Sequence, residues 1–166
     1  VLLDGAWGFA ASHRVERDAI AEAADRALDM ARANRAAVTR PVELAPNDAY
    51  MDTWRSPVEK DPFAVPGGEK AELLLAVNAA ALKVAGAKFV NSFMLLRNEW
   101  KLFASTDGSV IEQDITRVWP CFTVTAIDPE RGEFQTRTAE VLPRAAGYEH
   151  VEGADLIALA PQIAVE

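Results

Sequence analysis

Two histidines, one cysteine and a surplus of carboxylates are the side chains with which this chain could do chemistry. His13 stands at the start of a helical pattern, and His150 lies in a polar stretch beside Glu149 and Glu152. Neither is followed by glutamate. The His-Glu-x-x-His helix, which puts two imidazoles and a general base on one face, therefore cannot be drawn. Both histidines read as surface residues. Cys121 lies in the apolar run Val118-Trp119-Pro120-Cys121-Phe122 and reads as an inert core thiol rather than a nucleophile. Pro66-Gly67-Gly68-Glu69-Lys70 lacks the spacing of a phosphate loop, and no Gly-x-Ser-x-Gly elbow occurs. The carboxylates show no pair spaced to share a proton. Gln113 is a polar group on a strand face with Ile111 and Ile115; such a residue either satisfies a backbone group in the core or faces a ligand. By spacing alone the chain holds no catalytic centre and no metal ligands.

The elements that must position these residues are α and β in one chain. The stretch Phe89–Asp128 is rich in aromatic and β-branched residues, with breaks at Arg97-Asn98-Glu99, at Thr106-Asp107-Gly108-Ser109 and at Pro120. Trp100, Leu102 and Ala104 alternate with Glu99, Lys101 and Ser105, the period of a half-buried strand. Asp107-Gly108 supplies the positive-φ chemistry of a tight hairpin. An antiparallel meander follows, one face apolar and the other wetter. Val1–Ala11 reads as a hairpin turning at Asp4-Gly5. Ser12 is the expected N-cap of a helix from about Val15 to Arg35, its buried side Ile20, Ala23, Ala24, Ala27, Leu28 and Ala31.

Residues 38–68 carry five of the nine prolines and no periodicity, yet include Tyr50, Met51, Trp54, Phe63 and Val65. They read as an ordered strap laid over a surface. Glu69–Ala85 is a second helix, stopped by Gly86, with Leu74, Leu75, Val77, Ala81, Leu82 and Ala85 buried. After a turn at Asp128–Gly132, a strand resumes over Glu133–Leu142. Pro143–Gly153 is irregular, and Ala154–Glu166 begins a helix that Pro161 interrupts. The fold class is α+β, two-layer: a largely antiparallel sheet of hairpin plus meander, covered by the two main helices, in a single domain of residues 1–166.

The chain carries a net charge of −8 and 50% hydrophobic residues. The acidic balance argues against a nucleic-acid surface, which needs clustered Lys and Arg. No run of about 18 apolar residues exists to span a membrane. A single cysteine rules out an internal disulfide framework and fits a reducing, cytoplasmic setting.

Several segments together resemble the TldD/PmbA family of metallopeptidases, described as modulators of DNA gyrase. They are V-L-L-D-G-A-W-G-F-A-A-S at 1–12, W-R-S-P-V-E-K-D-P-F-A-V-P at 54–66, F-A-S-T-D-G-S-V-I-E-Q-D-I-T-R at 103–117 and the weaker G-Y-E-H-V-E-G at 147–153. The likeness is closer to TldD and to an N-terminal domain, cut at both ends. It implies a zinc-dependent peptidase acting on unstructured or small peptides, as a homodimer or a TldD/PmbA-type heterodimer. It also implies a His-Glu-x-x-x-His helix in a C-terminal domain outside this chain. No residue here matches a family metal ligand, so the chain is expected to bind no zinc itself and to be inactive alone. Arg144-Ala145-Ala146 departs from a loop that is glycine-richer in relatives. The alternative reading is a non-enzymatic interaction module or partner subunit of such a complex; a DNA- or gyrase-binding factor is disfavoured by the charge.

Overall fold

The structure, a computed structural model, describes residues 1–165. It divides into two compact units, Val1–Asn47 and a second from Asp48 onward.

In the first unit, β1 (Leu2–Leu3) and β2 (Ala6–Trp7) pair antiparallel around Asp4-Gly5. Both loop residues have positive φ (48° and 77°), the type I′ geometry expected of Asp-Gly. The hairpin packs on α1 (Arg17–Asn34), whose buried residues are Ala19, Ala27 and Ala31. A Cβ on Gly8 would fall on the Ala27 carbonyl oxygen. This glycine is what lets the hairpin backbone lie against an alanine face. Asn34 Nδ2 donates to the Trp7 carbonyl at 2.9 Å, tying the helix end to β2.

Two details differ from expectation. Ser12 does not cap the helix: its Oγ accepts from the Arg14 N–H, and α1 begins later with Glu16 at the cap position and no side-chain cap. Ile20 is exposed, because the buried stripe runs through Ala19 and Ala27 instead.

The second unit holds β3 (Met51–Arg55), α2 (Gly67–Ala81), β4 (Ala87–Ala104), β5 (Val110–Asp128), β6 (Glu133–Thr138), α3 (Glu149–Gly153) and α4 (Leu156–Val165). The sheet order is β3-β5-β4, with β6 also pairing β5. β3 runs parallel to β5, with Trp54 opposite Gln113, whereas β4 and β6 are antiparallel to it. Part of the proline-rich strap is thus a strand. Its Met51-Asp52-Thr53-Trp54 composition gave no clean alternation, and only the partner strand fixes it.

The meander is really one long hairpin. β4 continues through Arg97-Asn98-Glu99 because those polar side chains pair across the strands instead of bending the chain. Asn98 Nδ2 donates to Asp114 Oδ1 (2.8 Å) and Thr116 Oγ1 (3.1 Å), and Glu99 accepts from Arg117. β5 continues through Pro120, opposite Met94. The backbone groups of Val118 and Phe122 bond away from β4, to Arg144 and Ala139. In an antiparallel ladder, alternate residues share one direction. Pro120, between them, therefore lacks an N–H only on the side away from β4, and no β4 ladder bond is lost. The turn falls where expected, with Gly108 at φ 97°, as does the next at Gly132, φ 67°.

The core joins α2 (Val77, Ala81) and α4 (Leu156, Ala160, Ile163) to Val118, Phe122 and Val124 of β5, with Tyr148, Val151 and Val65 closing its margin. Val90, Met94 and Leu96 of β4 pack against it. The helix that shares the sheet with α2 is α4, which continues through Pro161; α1 packs on the hairpin of its own unit. Leu75, Leu82 and Ala85, expected inside, are exposed. Leu73-Leu74-Leu75 makes α2 apolar nearly all round, so periodicity could not choose the buried face. Among the described residues the core cluster draws nothing from β3, from β4 beyond Leu96 or from β5 before Val118. That end of the sheet projects past the helices.

Candidate functional site

Three of the segments singled out in the sequence meet in the second unit. β3 lays Trp54 and Arg55 beside Gln113 and Asp114, joining the 54–66 segment to the 103–117 segment. Ser56 continues the junction: its N–H donates to the Asp114 carbonyl, while its Oγ accepts from the Thr116 N–H and donates to the Thr116 carbonyl. Four residues later Lys60 meets the Gly147–Gly153 segment. The Tyr148 N–H donates to the Lys60 carbonyl at 2.7 Å, and Glu149 Oε2 accepts from the Lys60 N–H at 3.0 Å. Glu149 Oε1 accepts from the Gly147 N–H at 2.6 Å. Lys60 Nζ pairs with Glu152 and stands 5.2 Å from the centroid of the Tyr148 ring.

The charges in this junction are held in their ionised forms. Burial pushes the Glu149 carboxyl up, but the N–H groups of Lys60 and Gly147 outweigh it and hold the group below the ordinary glutamate value. Glu152 raises Lys60 by accepting its proton in a hydrogen bond. Tyr148 is raised, first by burial and then by the nearby Glu152 charge. A Cβ on Gly147 would fall on the Lys60 carbonyl oxygen, so the glycine is required by close approach. Beside the junction opens a groove of about 940 Å³, walled by Pro57, Glu59, the 140–146 loop, Glu149 and His150.

The residues considered for chemistry do not converge. His13 lies in the first unit. His150 belongs to α3, and its Nε2 is 2.9 Å from the Leu142 carbonyl, which fixes the 140–146 loop. Cys121 is buried, and burial raises its thiol, the reverse of nucleophile activation. Gln113 is half-buried in β5 between Trp54 and Lys101, on the sheet end that projects past the helices. Among the described residues no three His, Cys, Asp or Glu side chains stand close enough to hold a metal ion. The donor set of the described residues does not fit a metal centre.

What the sequence did not reveal is the open edge. Among the described residues β4 pairs with β5 alone. Since β5 aims the backbone groups of its even-numbered residues 110–122 toward β3, Ser56, Arg144 and Ala139, their β4 partners Ser92, Met94, Leu96, Asn98, Trp100, Leu102 and Ala104 aim theirs at the free edge. Eighteen residues of strand offer that ladder, roughly 60 Å of it. Along it, Phe89, Phe93, Leu95, Trp100, Leu102 and Phe103 are exposed. No helix among the described residues is long and apolar enough to cross a membrane.

A family model described as the PmbA/TldA metallopeptidase central domain matches residues 60–165. The match lies within the second unit and takes in the whole of the β4–β5 hairpin, the Gly147–Gly153 segment and α4. No curated protein matches the chain. The family is the one the segments resembled. Its model describes a central domain where the resemblance suggested an N-terminal one; short segments carry no information on their order in a longer protein. The chain belongs to the PmbA/TldA metallopeptidase family, by a match that spans most of its length.

Proposed function

We propose that this chain is a supporting domain of a zinc-dependent peptidase: it shapes the substrate chamber and contributes dimer contacts, while the metal is held elsewhere in the parent protein. The substrates are unstructured or small peptides, and the assembly is a homodimer or a TldD/PmbA-type heterodimer in the cytoplasm. The observation that carries the reading is the free edge of β4. An extended peptide satisfies its own backbone by adding to such an edge, which suits a peptidase that takes unstructured chains. The exposed apolar side chains alongside would grip the peptide or a partner subunit.

Leu102→Pro in the full-length parent tests this. Leu102 aims its N–H at the free edge, so proline removes one docking bond and leaves the β4–β5 ladder intact. The expected result is a KM for unstructured peptides raised about tenfold, one good hydrogen bond's worth with some steric loss, with zinc content and melting temperature unchanged. Unaltered cleavage by this variant, and by a Ser92→Pro variant on the same edge, would sink the strand-addition reading.

A further inference from the structure

On the face of β4 that carries the odd-numbered residues, three cations converge on one carboxylate. Arg97 Nη2 reaches Glu99 Oε1 at 3.1 Å, Arg117 Nη1 reaches Glu99 Oε2 at 2.9 Å, and Lys101 Nζ reaches the same oxygen at 3.3 Å. Arg97 and Arg117 are direct cross-strand partners. Like charges so placed repel, and Glu99 alone stands between them. Hydrogen bonding from Arg117 is the largest of the effects that hold Glu99 below the ordinary glutamate value. The glutamate is therefore fully committed, and the cluster keeps two positive charges that it does not neutralise.

Those cations are within reach of a ligand: the side chains of Arg97, Lys101 and Arg117 are 61%, 47% and 41% exposed. Asp52 shares the face two strands away and turns its carboxylate to the Thr53 N–H. The cluster is framed by apolar groups at strand spacing. Leu95 precedes Arg97 by two residues and Phe103 follows Lys101 by two, 52% and 55% exposed. In a chain of net charge −8 this is a positive patch bounded by grease.

We infer that the patch selects extended peptides carrying an acidic residue with an apolar residue two positions away. A strand added to the β4 edge places alternate side chains beside Leu95, Arg97, Glu99, Lys101 and Phe103. An Asp or Glu opposite Arg97 meets its guanidinium, relieves the Arg97–Arg117 repulsion and brings a neighbour two residues off over Leu95; opposite Lys101 it meets the ammonium and brings the neighbour on its other side over Phe103. The inference rests on the strand-addition reading and deepens it by naming a substrate class. A guanidinium beside a carboxylate is a charge-assisted pair, so selectivity falls as salt rises.

Fluorescence anisotropy on the full-length protein tests it, with three labelled nonapeptides identical except for a central Glu, Gln or Lys between leucines. The Glu peptide is expected to bind about tenfold tighter than the Gln peptide at low salt, and the Lys peptide most weakly. Arg97→Gln and Lys101→Gln, both on the exposed edge strand, should each reduce the Glu-over-Gln preference; Arg97→Lys should restore part of it. Equal affinity for the Glu and Gln peptides overturns this inference alone. Binding of no peptide overturns the strand-addition reading with it. A preference that survives in Arg97→Gln, Lys101→Gln and their double variant overturns the assignment to these residues. Loss of self-association in those variants, with no change in peptide preference, overturns it in favour of a second copy as the occupant.

Discussion

Glu149 is the side chain on which the junction between the Lys60 turn and α3 depends most. Its two oxygens accept from two backbone N–H groups, Lys60 at 3.0 Å and Gly147 at 2.6 Å, and so tie together stretches 89 positions apart. A bond to an ionised acceptor contributes more than a neutral one, but this carboxylate is only half-buried, so the lower end of the range applies, about 1 kcal/mol each. Glu149→Ala should then cost about 2 kcal/mol, a melting temperature about 4–8 °C lower for a domain of this size. Glu149→Gln keeps one acceptor but turns an NH₂ toward the second donor, and should fall about midway. The loss has a pH signature. The folded carboxyl titrates below its ordinary value, so its contribution is fully present above the unfolded pKa and disappears as pH falls through the folded one. Wild type and Glu149→Gln should therefore differ at neutral pH and converge as the pH drops below about 4. Thermal unfolding followed by tryptophan fluorescence over that pH range measures both. A shift of less than about 1 °C for Glu149→Ala at neutral pH, against the 4–8 °C expected, would refute the argument. So would a Glu149→Gln deficit that stays constant with pH.

Two further outcomes follow from the same geometry. Gly147→Ala places a methyl group on the Lys60 carbonyl oxygen, a backbone atom that cannot rotate away, so chemical denaturation should show a loss of about 2–3 kcal/mol. Cys121 should resist iodoacetamide in the native protein and react promptly in denaturant; native labelling should accelerate only at a pH above that of a free thiol, because burial raises its pKa. Rapid native labelling at neutral pH would mean that the strand around Cys121 opens far more readily than its burial suggests.

The sequence was most legible where local chemistry decides. Asp4-Gly5, Asp107-Gly108 and Asp128–Gly132 each made the expected turn, since positive φ is a property of the turn residues themselves. The two long helices, the helical tail and the α+β class also followed from pattern. What was not legible depends on partners far along the chain. Arg97-Asn98-Glu99 looks like a break until Thr116 and Arg117 stand opposite; Pro120 looks like a stop until Val118 and Phe122 show which way that stretch of β5 points its backbone. β3 is a strand only because β5 is there to receive it.

The same dependence explains why no site could be read from spacing. A metal helix or a nucleophile elbow is a local arrangement, legible because its residues sit a few positions apart. The features offered by this domain are assembled across strands: the free edge of β4 exists because the sheet order ends there, and the Arg97–Glu99–Lys101–Arg117 cluster exists because antiparallel pairing brings Arg117 opposite Arg97. A domain that binds extended chains needs little more. Its affinity comes from backbone groups that every residue has, so a sequence scan finds nothing unusual in them. Its selectivity comes from a few exposed charges, each of which alone reads as an ordinary solvated side chain. Arg97 has that ordinary look in the sequence, and only the strand register gives it Arg117 as a neighbour and Glu99 as a shared, already committed partner.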